Sequence, residues 1–313
     1  MFKAPLYDKA AEAPEGGKAR WVTASDGVRL RYAWWDKGTK GTVLVFPGRT
    51  EFIEKYGRAV GEFQRRGYAS LVIDWRGQGL ADRLTPTRML GHVGLFSDYQ
   101  LDIAAVLAAI KPLNLPQPLY LCAHSMGGAI GLRALQAGLP VARTVFTAPM
   151  FGMMIDPMLR PLLQAVAAGT RSLGLGEEFA PGTGGQSYIE SHGFDGNPLT
   201  SDAETFAYMA RQIERHPGLS LGGPSVHWFY EALTESRSLM KSAPPDHAAL
   251  CFLGSEEAVV DKRDVVALMD RWPRGTVTIM PGAKHEIMME TPAIRATFFE
   301  KTDTFFGDGS VAA

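Results

Sequence analysis

Ser125, His285 and three carboxylates at Glu256, Glu257 and Asp261 are the side chains whose types and order could do acyl-transfer chemistry. A serine hydroxyl is a weak nucleophile until a base takes its proton and a carboxylate holds that base. The serine lies in Cys122-Ala123-His124-Ser125-Met126-Gly127-Gly128, after the apolar run Leu119 to Cys122 and before a helix-like stretch. That is the strand, sharp turn and helix of a nucleophile elbow, G-x-S-x-G, which lifts a serine oxygen above the end of a parallel strand. Small residues flank the serine because the turn is strained and brings two backbones together. Ala123 stands in place of the first glycine, keeping the small volume but not the backbone freedom.

Such an elbow supplies its partners in the order Ser, acid, His. His285 follows the last strand-like run, in Pro281-Gly282-Ala283-Lys284-His285-Glu286, and loops at the carboxyl ends of parallel strands are where these sheets place reactive groups. The acid falls in Gly254 to Asp261, where at most one of Glu256, Glu257 and Asp261 is needed; Glu257 is favoured and Asp261 is its rival. The oxyanion formed on acyl transfer needs backbone donors. The Met126 amide, just after the nucleophile, is one candidate. The other is the Arg49 amide in Pro47-Gly48-Arg49-Thr50-Glu51, with Gly48 allowing close approach.

Other patterns fail. His285-Glu286-Ile287-Met288-Met289 lacks the second histidine of a zinc helix, and Gly128 with Gly131 lacks a dinucleotide fingerprint. No metal and no cofactor is expected. His124 reads as support for the elbow, and Arg65-Arg66 as a solvated helix end. Met150, Met153, Met154 and Met158 suit either an acyl pocket or ordinary core.

The elements that must position these groups alternate. A hairpin over Arg20 to Thr23 and Val28 to Trp34 precedes strands at Thr42 to Phe46, Ala69 to Ile73, Leu119 to Cys122 and Thr144 to Thr147, with helices between. Ser97 and Gln100 read as a capping box for a helix carrying Ile103, Val106, Leu107 and Ile110. The alternation breaks from 150 to 241. Asp156-Pro157 opens one helix there, with Leu159, Leu162, Leu163 and Val166 on a face. Gly174 to Gly196 reads as a long loop. Ser201 and Glu204 cap a second helix, and Ser225 to Leu239 forms a third. Strands return at Ala249 to Leu253 and Thr276 to Met280, and Gly307 to Ala313 reads as a frayed tail. The expected fold is α/β: a core of 1–149 and 242–313 with a mostly parallel central sheet flanked by helices, interrupted by a helical insertion at 150–241.

Composition narrows the classes. A formal net charge of −1 leaves no footprint for nucleic acid, and 46% hydrophobic with 21% charged residues suits a globular protein. No apolar run is long enough to span a membrane, and the start Met1-Phe2-Lys3-Ala4 lacks a signal-peptide core. The expected compartment is cytoplasmic, with a peripheral visit to the inner face of the membrane left open. Cys122 and Cys251 both fall on expected strands; if those strands flank a third, the two are too far apart to bridge.

With these residues placed, the chain resembles the α/β-hydrolase superfamily, and within it the bacterial lysophospholipase and monoacylglycerol lipase branch. The elbow, Pro47 to Glu51, Asp74-Trp75-Arg76-Gly77-Gln78-Gly79, Asn197-Pro198-Leu199-Thr200-Ser201-Asp202, Gly254 to Asp261 and Pro281 to Glu286 carry the likeness in order. In such relatives the acid sits three residues after the glycine ending its strand, which is Glu257 here, though that position is often Asp; many also have His-Gly where this chain has Pro47-Gly48. The resemblance implies a serine hydrolase cleaving the acyl ester of a single-chain lipid, a lysophospholipid first and a monoacylglycerol or general carboxylic ester second. The insertion would be a cap over the pocket. A non-catalytic binding protein on the same fold is the alternative of a different class. Six Lys/Arg against ten Asp/Glu in 150–241, a formal −4, disfavour a strongly anionic headgroup.

Overall fold

A computed structural model describes residues 2–155, 158 and 160–308; the side chains at 160–164 and 171 lie outside that description. Asp156-Pro157, Leu159 and the tail from 309 onward are likewise outside it. Eight strands form one sheet: β1 (Lys18–Thr23), β2 (Arg29–Trp35), β3 (Thr42–Phe46), β4 (Ala69–Asp74), β5 (Leu119–His124), β6 (Thr144–Thr147), β7 (Ala249–Gly254) and β8 (Gly275–Met280). Their spatial order is β1-β2-β4-β3-β5-β6-β7-β8, antiparallel from β1 through β4 and parallel from there on. Strands β3, β4, β6 and β7 are buried along their whole length, which is why they read as unbroken apolar runs rather than alternating ones.

The helices are α1 (Asp8–Ala11), α2 (Gly57–Arg65), α3 (Tyr99–Ile110), α4 (Met126–Gln136), α5 (Arg160–Ser172), α6 (Tyr188–Ser191), α7 (Ala203–Arg215), α8 (Val226–Lys241), α9 (Lys262–Met269) and α10 (Pro292–Gly307). One face of the sheet buries Tyr56, Val60 and Phe63 at α2 with Phe298, Phe299 and Phe306 of α10. The other buries Ile103 and Val106 of α3, Ile130 of α4 and Leu268 of α9. Trp228, Ala232 and Leu239 of α8 join this second cluster, so the last helix between β6 and β7 is rooted in the core. Both cysteines are free and buried, and burial pushes the Cys122 thiol up to about 12. No helix among the described residues is long and apolar enough to cross a membrane.

Four local expectations change. Gln100 reaches the Ile130 carbonyl on α4 at 3.2 Å instead of closing a box with Ser97, and a 3-10 turn at Phe96–Asp98 leads into α3. Asp202 rather than Ser201 caps α7, because its carboxylate accepts the Glu204 and Thr205 amides. The glycine-rich stretch Gly174 to Gly196 contains α6, started by a Ser187–Glu190 capping box that glycine content obscured. Val166 on α5 is exposed, so the face drawn through it is not a core face at that end.

Candidate active site

The turn between β5 and α4 holds Ser125 at φ 51°, ψ −119°, a conformation that costs about 1–3 kcal/mol and persists only where packing imposes it. The packing is visible. A Cβ on Gly127 would lie 2.2 Å from the Phe46 carbonyl oxygen, and one on Gly128 2.4 Å from Pro149 Cβ. Gly131 on α4 faces this strand: a Cβ there would lie 3.1 Å from Leu121 Cδ2 and 3.4 Å from Ala123 Cβ, so the helix packs closely on β5.

His285 comes from the loop after β8, and Glu257 from the loop after β7. Its Nδ1 lies 2.8 Å from Glu257 Oε2 and its Nε2 3.0 Å from Ser125 Oγ. A carboxylate only accepts, so the Nδ1 proton points at Glu257 and Nε2 is left to accept from the serine. Glu257 is itself held by the Val259 and Val260 amides at Oε1, 2.6 and 3.1 Å. Desolvation pushes its pKa up, but His285 and those amides outweigh it and hold the carboxyl below its ordinary range. Asp261 is occupied elsewhere: it caps α9 through the Arg263 amide and pairs with the Arg263 guanidinium. Glu256 is exposed. The structure therefore brings Ser125, His285 and Glu257 together and leaves both rival acids out.

Gly48 and Arg49 follow β3 on the far side of the elbow. A Cβ on Gly48 would lie 3.1 Å from Ser125 Cβ, which explains the glycine. Among the described residues, the Arg49 and Met126 amides donate to no protein acceptor. Both residues line a cavity of about 430 Å³ together with Ser125 and His285. The cavity wall is largely apolar. Met150, Met153 and Met154 line it, whereas Met158 points away and is 88% exposed.

Sequence reading missed how this loop is held. Gln78 Nε2 donates to the Gly48 and Glu51 carbonyls at 2.8 and 3.0 Å, and Trp75 Nε1 to the Pro47 carbonyl at 2.9 Å. Gln78 and Trp75 stand in the glycine-rich run Asp74 to Gly79, where nothing local says which carbonyls they bond. From the insertion, the Pro198 and Leu199 carbonyls accept the His285 and Glu286 amides at 3.3 and 2.8 Å, while Asn197 Oδ1 shapes that strap by accepting the Leu199 and Thr200 amides.

Beneath the serine lies a buried ionic cluster. Lys55 Nζ donates to Glu51 and to Glu286, the latter at 2.6 Å; Tyr56 and the Gly48 amide also donate to Glu51. His124 Nδ1 donates to the Thr147 carbonyl at 3.0 Å, and its Nε2 makes an ion-pair contact of 3.3 Å with Glu286. Glu51, His124 and Glu286 offer ligand atoms close enough for a metal ion, but the Lys55 ammonium already bonds both carboxylates. Desolvation pulls the His124 pKa down, yet Glu286 and Glu51 outweigh it and raise it above the ordinary histidine value. Glu286 is burdened by desolvation but held well below its ordinary range by Lys55 and His124.

A group whose folded pKa is raised stabilises fully below its unfolded value, about 6.5 for histidine, and loses that contribution as pH rises through the folded value. His124→Gln is therefore expected to lower the melting temperature most at mildly acidic pH, with the gap to wild type narrowing above neutrality. Melting curves across that range check it; a gap that widens with pH would contradict the protonated His124.

Known proteins resemble this chain over most of its length. Residues 37–292 match the family described as Serine aminopeptidase, S33. The chain is 32% identical over 295 residues to lysophospholipase L2 of Escherichia coli (strain K12), covering 89% of this chain and 83% of that one. It is 23% identical over 290 residues to monoglyceride lipase of Saccharomyces cerevisiae, covering 88% of each. The solved structure of a soluble variant of the Saccharomyces cerevisiae monoglyceride lipase, in complex with a substrate analog, superposes with a TM-score of 0.70 at 20% identity, covering 91% of this chain and 94% of that one. The fold is thus that of the α/β-hydrolases.

Proposed function

The chain belongs to the α/β-hydrolase family described as Serine aminopeptidase, S33, and on that premise we propose that it cleaves the acyl ester of a single-chain lipid, a lysophospholipid. One observation carries the reading: the Ser125–His285–Glu257 relay opens on an apolar, methionine-lined cavity of about 430 Å³. The name of the Escherichia coli relative supports the lysophospholipid over other esters.

In this reading Ser125 Oγ attacks the ester carbonyl carbon while its proton passes to His285 Nε2. Glu257 holds the imidazolium that forms. The Arg49 and Met126 amides receive the negative charge on the carbonyl oxygen. The tetrahedral intermediate collapses by expelling the glycerol oxygen, which takes the proton from His285. Water, deprotonated by the same nitrogen, then releases the fatty acid and restores Ser125. Methionine side chains adapt to a flexible acyl chain without a fixed shape. Residues 150–241 act as the cap, with the Pro198-Leu199 strap tying it to the histidine loop.

Fatty-acid release from lysophosphatidylcholine, lysophosphatidylethanolamine, 1-monoacylglycerol and short p-nitrophenyl esters tests this, with Ser125→Ala as control. The expected order places both lysophospholipids above the glycerol ester and long chains above short. A preference for monoacylglycerol would move the enzyme to the lipase reading that the yeast relative supports, with the mechanism unchanged. No Ser125-dependent turnover would favour a binding protein.

Peripheral contact with a lipid surface completes the proposal. Met154, Met158, Val166 and Leu173 lie between 49% and 88% exposed along one stretch of the cap. Apolar side chains presented this way bind headgroup boundaries. Met158→Asp with Leu173→Asp is expected to lower the fraction sedimenting with phospholipid vesicles; an unchanged fraction would remove this face from the contact.

A further inference from the structure

The cavity wall contains three cationic or ionisable bases, and two have partners: Lys55 bonds Glu51 and Glu286, and His285 bonds Glu257. Arg49 is different. Among the described residues its guanidinium has no carboxylate within ion-pair distance, and one N–H donates, to the Gly222 carbonyl at 3.0 Å. Its Cζ lies 5.5 Å from the Trp228 ring centroid. Burial draws its pKa down to about 10, so it remains a cation at neutral pH without a counter-anion. Arg49 is only partly buried, so the charge keeps some water, and it is left without a counter-anion at a point on the cavity wall that a ligand can reach.

Its position suits a particular ligand. Arg49 follows Gly48, whose missing Cβ lets this loop approach Ser125 closely, so the Arg49 backbone sits where an ester carbonyl is received. A side chain of arginine length reaches about 6–7 Å from its own Cα. That is the order of the distance from the scissile ester of a lysophospholipid, across the glycerol, to its phosphodiester. The side chain extends to the Gly222 carbonyl, just before α8, and lies beside the Trp228 ring. A planar guanidinium with four free N–H donors is the side chain best fitted to a phosphodiester's oxygens.

We propose that the Arg49 guanidinium binds the headgroup phosphodiester of the substrate, and so separates a lysophospholipid from a monoacylglycerol at this site. The inference rests on the single-chain lipid reading above. It also resolves a tension in the charge pattern. A formal −4 over the insertion repels an anionic lipid, but one local cation within an acidic surround fits a zwitterionic headgroup, phosphate inward.

The test is equilibrium binding of single-chain lipids that carry no ester, below their micelle concentrations: dodecylphosphocholine, 1-O-dodecylglycerol and dodecanoate. Wild-type protein is expected to bind the phosphodiester at least about tenfold more tightly than the uncharged ether. Arg49→Gln is expected to reduce that ratio about 10–100-fold, and Arg49→Lys to reduce it less, since a point charge keeps part of the contact. Equal wild-type affinity for the phosphodiester and the ether overturns the proposal, and needs no variant to fold. So does an equal loss for both ligands in a folded Arg49→Gln protein. Tightest binding of dodecanoate, lost in Arg49→Gln, reassigns the cation to the fatty-acid product. If neither dodecyl lipid binds wild-type protein, the single-chain lipid reading itself has failed, and Arg49 with it.

Discussion

Ser125→Ala is expected to lower kcat/KM for lysophosphatidylcholine by about 10⁴–10⁶-fold and to abolish labelling by a fluorophosphonate. The size follows from what remains. Without the Oγ there is no acyl-enzyme, and the surrounding donors retain only the residual rate that oxyanion stabilisation and binding give in serine hydrolases. The fold should survive. Ser125 caps α4 without a side-chain hydrogen bond, and a methyl group in place of CH₂OH fills nearly the same space. Alanine inherits the positive φ that serine already bears, so the strain is common to both and the melting temperature should move by no more than about a degree or two. Residual turnover above a hundredth of wild type would mean that the measured hydrolysis does not pass through this serine.

Glu257→Gln is expected to reduce kcat by about 10³–10⁴-fold with the fold intact, because an amide offers an N–H where His285 needs an acceptor and so favours the wrong tautomer. The Val259 and Val260 amides can still bond the glutamine carbonyl, which keeps the loop in place. Asp261→Asn is the matched control. Asparagine caps a helix about as well as aspartate, so α9 should hold, and the carboxylate lost there bonds Arg263 rather than His285. Its kcat should stay within about twofold of wild type. Inverted results, a silent Glu257→Gln and a crippled Asp261→Asn, would exchange the acid assignment. Purified variants assayed on one lysophospholipid decide it.

The chain order of the reactive groups could be read directly because each stands just after a strand. Apolar runs mark β3, β5 and β7 and a β-branched stretch marks β8, and Gly48, Ser125, Glu257 and His285 follow these strands by one to five residues, polar or small where a core would be apolar. The strained elbow was legible too, since few residue sets tolerate φ 51° between a strand and a helix. Helix caps in the insertion were less so. Ser201 and Asp202 are both good caps one residue apart; Asp202 accepts the Glu204 and Thr205 amides, whereas the Ser201 hydroxyl donates to the Gly282 carbonyl.

What the sequence could not reveal is which charges meet. Glu51 and Lys55 are one helical turn apart and suggest a surface pair; in the fold they are buried with Glu286, 231 residues beyond Lys55. Arg49 entered the reading for its amide alone, because whether a side-chain cation is matched depends on every element packed around it. The sequence by itself determined the strand order of the chemistry, the elbow and the identity of the nucleophile and base, since these follow from local geometry and residue type. Tertiary structure set Glu257, which the sequence favoured, against His285 and turned Asp261 to Arg263, assembled the ionic cluster under Ser125 and left the Arg49 guanidinium without a carboxylate partner among the described residues. Electrostatic partnership acts across space between residues distant in the chain, and no local pattern encodes it.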